Sequence, residues 1–343
     1  MAWVEPQFSK SLVDRAGRIL AKRDDRSPTT TTELLEAVVV INNWRAAHNF
    51  PLNTFQTTLR EKAERVKDWA LVAQRLKRLS SIEKKLRDRP SMRLSQMDDV
   101  GGCRAIMRST RGVDTLVNRY LRSGLQHKLH EQHDYISNPK PSGYRSHHLV
   151  YRYFSPRKTA FNDLRIEIQF RTRRQHTWAT AVETVGIFTG QALKSSQGEG
   201  DWLRFFALMG GAIALGEHCA PVPNTPILPR ELRDELRHYA AKLSVVSRLK
   251  GYASVIGQVT EEDHYVIVKL DAKNNQTELF GYGKTELEKA TADYGVIESN
   301  LGDRGNVDAV LVSVSGIDNL RVAYPTYFLD SEDFIKEVKE ATK

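Results

Sequence analysis

Apolar and polar positions alternate most cleanly between residues 128 and 171. Residues 164–171 read LRIEIQFR, with Ile166, Ile168 and Phe170 on one face and Arg165, Glu167, Gln169 and Arg171 on the other. This period of two predicts a strand with one buried face and one charged face. Residues 147–154 and a stretch near 128–135 predict two further strands, separated by the turn-rich loop NPKPSGYRS. Residues 103–107 predict a short strand, and residues 113–121 and 175–189 predict helices. Upstream, Thr32 is placed to cap a helix over 33–47, which Asn49-Phe50-Pro51 should end. A second helix is expected over 53–69, and Ser80-Ser81 should open a short third one that stops near Arg87, ahead of Pro90.

Residues 202–217 form an apolar helical pattern that needs a partner, and Pro221, Pro223, Pro226 and Pro229 mark a linker. Beyond it the pattern predicts a helix over 231–248, strands at 254–260, 265–270 and 277–280, a helix at 285–294, a strand at 307–314 and a last helix from Glu332. The succession predicts an α/β (α+β) fold, a mixed sheet flanked by helices. Its expected divisions are a helical lead (1–50), the main α/β unit (51–200), a helical segment with a Pro-rich linker (201–250) and a small α+β domain (251–343).

The 343 residues allow two domains, and 40% hydrophobic with 27% charged residues is ordinary for a folded soluble chain. Cys103 and Cys219 lie far apart, which fits a reducing cytoplasm better than a disulfide framework. The opening MAWVEPQFSK lacks the pattern of a secretory signal, and the apolar run at 205–215 is too short to span a bilayer, so no membrane role is expected. Charge is unevenly spread. Residues 1–200 hold 35 Lys and Arg against 20 Asp and Glu, while residues 201–343 hold 16 against 22. A basic front half expects an anionic partner, such as nucleotide phosphates or RNA.

Three constellations carry chemistry. Arg75, Lys77, Ser81 and Lys85 lie in RLKRLSSIEKKL, where cations lead into a helix N-terminus suited to polyphosphate, although a solvated basic face would read the same way. Asp99 precedes Gly101-Gly102-Cys103-Arg104, so a carboxylate and a bare backbone open a strand where a metal–phosphate group could approach, although a turn between two elements would read the same way. The loop then gathers Lys140, Tyr144, Arg145 and His148 beside the polar face of the Glu167 strand. A tyrosine after a glycine can stack on a base or simply anchor a hairpin.

In order and content these segments resemble the synthetase domain of the RelA/SpoT family, the (p)ppGpp synthetases. The matching pieces are R75-x-K77 with S81-I-x-x-K85-L, D99-x-G-G-x-R104, D134-Y-I-x-N-P-K140-x-x-G-Y144-R-S-x-H148 and E167-I-Q-x-R171-T, with His176 and Trp178 behind them. The resemblance covers roughly residues 40–190. It implies a nucleotidyltransferase-like sheet and transfer of the β,γ-pyrophosphate of ATP to the ribose 3′-hydroxyl of GDP or GTP, with AMP released. Carried over by position, Arg75, Lys77, Ser81, Lys85 and Arg104 would hold ATP. Lys140, Tyr144, Arg145, His148, Gln169 and Arg171 would hold the acceptor. Asp99 and Glu167 would ligate Mg²⁺, and Glu167 would help deprotonate the 3′-hydroxyl.

The chain departs from the family pattern after Trp178-Ala179, where Glu183 stands without the histidine that often follows it. The segment Leu129-His130-Glu131-Gln132-His133 is also unlike that of better-known members, so GDP, GTP, an adenine nucleotide and a tRNA 3′ end all stay open as acceptors. Alternatives are a toxin of the same fold restrained by its C-terminal domain, and an inert nucleotide-sensing module. A homo-oligomer and a protein partner at residues 251–343 are also open. His133-Asp134 spells the dipeptide of the family's hydrolases but sits on a strand, so no hydrolase is expected. Gly281-Tyr282-Gly283-Lys284-Thr285 fails as a P-loop, because the required first glycine is Glu278.

Overall fold

A computed structural model describes residues 3–22, 31–66, 68–189, 200–250, 254–256, 263–271, 276–301, 307–313 and 332–343. Three helices lead in: α1 (Lys10–Ala21), α2 (Thr31–Ala47) and α3 (Asn49–Glu64). The Ser9 hydroxyl accepts from the Leu12 amide and so caps α1. The first expected helix ends at Ala47 ahead of Asn49-Phe50-Pro51, but the next begins at Asn49 and not at Asn53, with Pro51 in its first turn, where a missing N–H costs nothing. The helix expected to reach Trp69 stops at Glu64, because Ala70 already begins a strand.

The main unit then alternates: β1 (Ala70–Leu76), α4 (Leu79–Asp88), β2 (Gly101–Met107), α5 (Thr110–Leu121), β3 (Lys128–Asp134), β4 (His147–Arg152), β5 (Arg165–Thr172) and α6 (Arg173–Thr189). The helices α7 (Gly200–Gly216), α8 (Pro229–Lys242) and α9 (Val245–Lys250) follow. Next come β6 (Ser254–Ile256), β7 (Tyr265–Asp271), β8 (Gln276–Tyr282), α10 (Leu287–Leu301), β9 (Val307–Ser313) and α11 (Glu332–Ala341). The expected helix over 231–248 is split at Ser244, whose φ of 49° ends α8. Residues 257–260, part of an expected strand, and Val314 lie outside the described residues.

Among the described residues the nine strands form one mixed sheet, in the order β3-β4-β5-β2-β1-β9-β7-β8-β6. β2 runs parallel to β5, and β1 and β4 pair antiparallel with β2 and β5. The strands expected to make a small domain of their own instead continue this sheet, β9 joining β1 through Gln74–Ser313 and Arg75–Val312. Their α+β character is as expected.

The period-two pattern decides the layers. Cys103, Ala105, Ile166, Ile168, Phe170, Leu149 and Tyr151 bury one sheet face against α2, α3 and α5, joined by Phe55, Leu59 and Tyr120. The apolar α7 finds its partners in α6, α8 and α11, with Trp202, Phe205, Phe206 and Phe334 at the centre. Each of these large rings contributes about 2 kcal/mol on burial. The Pro-rich segment is a short connector, with Pro229 starting α8 and the Arg204 guanidinium clamped on Glu235 at 2.6 and 2.7 Å. Among the described residues no helix is long and apolar enough to cross a membrane.

Candidate active site

The site forms on the face of β5 opposite Ile166, Ile168 and Phe170, where alternation turns Glu167, Gln169 and Arg171 away from that core. β4 lies beside it with His148 opposite Gln169, and β2 on the other side sets Gly102 next to Glu167 and Arg104 next to Gln169. Rigid strands thus fix Glu167, Gln169, Arg171, His148 and Arg104 side by side, with Tyr144 entering from the loop.

These side chains close a ring of hydrogen bonds. His148 Nδ1 donates to Glu167 Oε1 at 2.8 Å, and Gln169 Nε2 donates to Glu167 Oε2 at 2.7 Å. The Tyr144 hydroxyl lies 2.8 Å from His148 Nε2, while Arg171 donates to that hydroxyl at 3.1 Å and also to Gln169 Oε1. His148 Nδ1 is the donor to the Glu167 carboxylate, which turns Nε2 toward the Tyr144 hydroxyl. Burial would raise the Glu167 pKa, but His148 and Gln169 outweigh it and hold the carboxyl well below its ordinary value, with Asp99 opposing them. Glu167 is therefore an ionised, oriented carboxylate with Asp99 within electrostatic reach.

Asp99 is gripped by two cations. Lys77 Nζ lies 2.8 Å from Oδ2 and Lys85 Nζ lies 2.9 Å from Oδ1. Burial acts to raise the Asp99 pKa, and the two lysines overcome it, so the net direction is down. Burial also lowers the Lys77 ammonium, against the pull of Asp99, with Lys85 and Arg75 adding repulsion. Arg75 on β1 stands beside Gly102 and completes this cationic group. Ser81 lies in the first turn of α4, one turn before Lys85. Arg165 on Asp98 at 2.8 Å ties down the loop ahead of Asp99.

Lys140 joins the two halves. Its ammonium lies 4.4 Å from the Tyr135 ring centre and 5.5 Å from that of Tyr144. Burial lowers its pKa, helped by Arg89 and Lys85 and opposed by Glu167, which places it between the carboxylate and α4. Tyr144 is more enclosed than a loop tyrosine suggests, edge-on to Trp178 at 6.3 Å and to His148 at 5.9 Å.

Of the residues expected from sequence, Arg75, Lys77, Lys85, Asp99, Arg104, Lys140, Tyr144, His148, Glu167, Gln169 and Arg171 converge here, and Ser81 stands at their edge. Arg145 does not join them. It is buried on the far side of the loop, with NH1 3.5 Å from Glu217 Oε2, because neighbouring residues of an extended segment point opposite ways. Sequence reasoning missed Tyr135, which packs its ring on His133 and under Lys140; its place directly after β3 in the D134-Y135-I136 segment was the available signal. It also missed Arg89, for which an exposed position past the end of α4 gave no signal.

Among the described residues no group of three or more metal-ligating side chains occurs. A hard cation would therefore rest on Asp99 and Glu167 and draw its remaining oxygens from a ligand or water, a donor set that fits Mg²⁺.

Residues 74–187 match the model of the region found in RelA and SpoT proteins. The GTP pyrophosphokinase YjbM of Bacillus subtilis (strain 168) is 32% identical over 111 residues, or 32% of this chain and 52% of the relative. The chain thus spans about half the length of that curated relative. Small alarmone synthetase 1 of Bacillus subtilis, solved with its product pppGpp, is 19% identical, with 64% of this chain and 97% of that one covered and a TM-score of 0.39. Small alarmone synthetase 2 of the same organism is 21% identical over 52% of this chain and 94% of that one, with a TM-score of 0.44. The matched region and the site motifs fall in the same segment, so residues 74–187 are similar to the region found in RelA and SpoT proteins.

Proposed function

We propose that the protein transfers the β,γ-pyrophosphate of ATP to the 3′-hydroxyl of GDP or GTP. The observation that carries this reading is the ionised Glu167, held by His148 and Gln169 on a rigid strand and facing the Lys77–Asp99–Lys85 group. The match of residues 74–187 to the RelA/SpoT region supports it, as does the similarity to a GTP pyrophosphokinase.

In the proposed step the acceptor 3′-oxygen forms a bond to the β-phosphorus of ATP. The bond from that phosphorus to the α–β bridging oxygen breaks, and AMP leaves with the electron pair. The hydroxyl proton passes to Glu167, whose ring of hydrogen bonds fixes its direction. Lys77, Lys85 and Arg75 neutralise the donor phosphates, which would otherwise repel the incoming oxygen. Mg²⁺, held by Asp99 and Glu167, would supply further neutralisation of phosphate charge when bound. Tyr144 and Tyr135 offer ring faces to the acceptor base, where the base would take the place now held by the Lys140 ammonium.

The test is incubation with γ-labelled ATP and GDP, GTP or tRNA. The expected result is AMP release in step with a labelled guanosine product. Label passing only to tRNA would replace the nucleotide acceptor with a tRNA end. ATP binding without AMP release under every condition would leave a nucleotide-sensing module and sink the transfer reading.

A further inference from the structure

Helix α4 carries Ser81 and Lys85 into the donor half of the site, yet its own sequence does not secure its start. Its N-cap residue, Arg78, makes no side-chain capping bond, and the first turn holds no acidic residue. A helix opening on a cationic segment needs both an acceptor for its first amides and a negative charge near its positive end. Both come from Glu298 on α10, 219 residues further along the chain: Glu298 Oε1 accepts from the Leu79 amide at 2.8 Å.

The same carboxylate is forked by a buried arginine. Arg45 NH1 lies 2.7 Å from Glu298 Oε2 and NH2 lies 3.2 Å from Oε1. Arg45 Nε donates to the Lys77 carbonyl at 3.0 Å, and the Lys77 amide donates to the Val100 carbonyl at 2.8 Å. The Tyr294 hydroxyl closes the group on Glu298 Oε1 at 2.9 Å. One side chain of α10 thus sets the backbone of Lys77 through Arg45 and the first turn of α4 directly. The two lysines that grip Asp99 depend on those two backbone segments.

We infer that Glu298 is a positioning residue for the donor half of the site, acting through Arg45 and the start of α4 to aim Lys77 and Lys85. This rests on the pyrophosphate-transfer reading for its kinetic consequence, and on geometry alone for its structural one. It makes α10 a working part of the synthetase site. A specific effect follows: Glu298 should govern donor binding and leave acceptor binding alone, since neither Tyr144 nor Lys140 touches this group.

The experiment compares Glu298→Ala and Glu298→Gln with Glu288→Gln, an exposed control on the same helix. Kinetics with ATP and a guanosine acceptor are paired with amide exchange over residues 79–82. Glu298→Ala should raise the KM for ATP about tenfold, the effect of losing a helix cap. It should leave the acceptor KM within about twofold on the same scale and speed exchange at Leu79 about tenfold. Glu298→Gln keeps an acceptor for the Leu79 amide and should fall between, so it serves if the alanine variant does not fold. Unchanged ATP KM and unchanged Leu79 exchange in a folded Glu298 variant would overturn the inference, as would equal rises in both KM values. Absence of turnover in the unaltered protein would sink the transfer reading instead, and Leu79 exchange would still decide the role of Glu298.

Discussion

Gly143 and Gly210 meet backbone to backbone: a Cβ on Gly210 would stand 2.6 Å from the Gly143 Cα. Gly143 also holds a φ of 90°, and a Cβ there would lie 2.8 Å from the Phe206 carbonyl oxygen. That carbonyl accepts the Trp178 indole N–H at 2.8 Å, so it has little room to give. The loop that carries Tyr144 is thereby seated on α7. Gly143→Ala combines a left-handed backbone with a backbone clash and should cost about 3 kcal/mol or more. Urea denaturation should show this loss, and acceptor turnover should fall further than the loss of folded protein explains. A fully stable Gly143→Ala protein would show that the loop can lift from α7 without consequence.

The ring from Arg171 through Tyr144 and His148 to Glu167 separates two roles of one tyrosine. Its ring can meet a base, while its hydroxyl orients His148. Tyr144→Phe keeps the first and removes the second. It should lower kcat about tenfold, the effect of one buried hydrogen bond, with acceptor KM nearly unchanged. Tyr144→Ala should also raise acceptor KM about tenfold or more through lost stacking. Steady-state kinetics over both nucleotides reads the split, and a purely KM-based defect in Tyr144→Phe would argue against hydroxyl control of His148.

Arg145 was expected from the family resemblance to hold the acceptor, but the structure gives it a buried place near Glu217, which also accepts from Thr172 and Gln175. Arg145→Met removes one partner of a buried pair and should lower stability by about 3 kcal/mol. Acceptor KM should stay at its original value in the folded fraction. A raised KM with unchanged stability would return Arg145 to the acceptor site.

These contrasts show what the sequence made legible. Glu167, Gln169 and Arg171 were readable because a period of two on one strand is a local signal, and Asp99 because it stands beside paired glycines. Arg145 was misplaced although the same alternation, applied through Tyr144, turns it to the other side. The joining of β9 to β1 was not readable, since an edge pairing of two residue pairs leaves no local pattern. Nor was the Glu298–Leu79 bond, whose partners share only a place in space.

His48, between α2 and α3, ties the stability of this scaffold to pH on the acid side. Its Nδ1 donates to the Trp44 carbonyl at 2.7 Å, and burial pushes its pKa from 6.5 down to about 4 despite that bond. Above pH 6.5 the ring is neutral in folded and unfolded chains alike, so it has no effect on stability there. Between 6.5 and about 4 the unfolded chain takes up a proton that the folded one refuses, so stability falls with pH, by about 3 kcal/mol at the end of that window. His48→Asn can keep an N–H donor to Trp44 while removing the titration. The difference between the two proteins in urea denaturation should therefore stay constant from pH 7.5 to about 6.5 and shrink from there to pH 4.5, as the original protein loses stability faster. Parallel curves would assign the acid loss to the other histidines that burial lowers, His127, His130, His147 and His264.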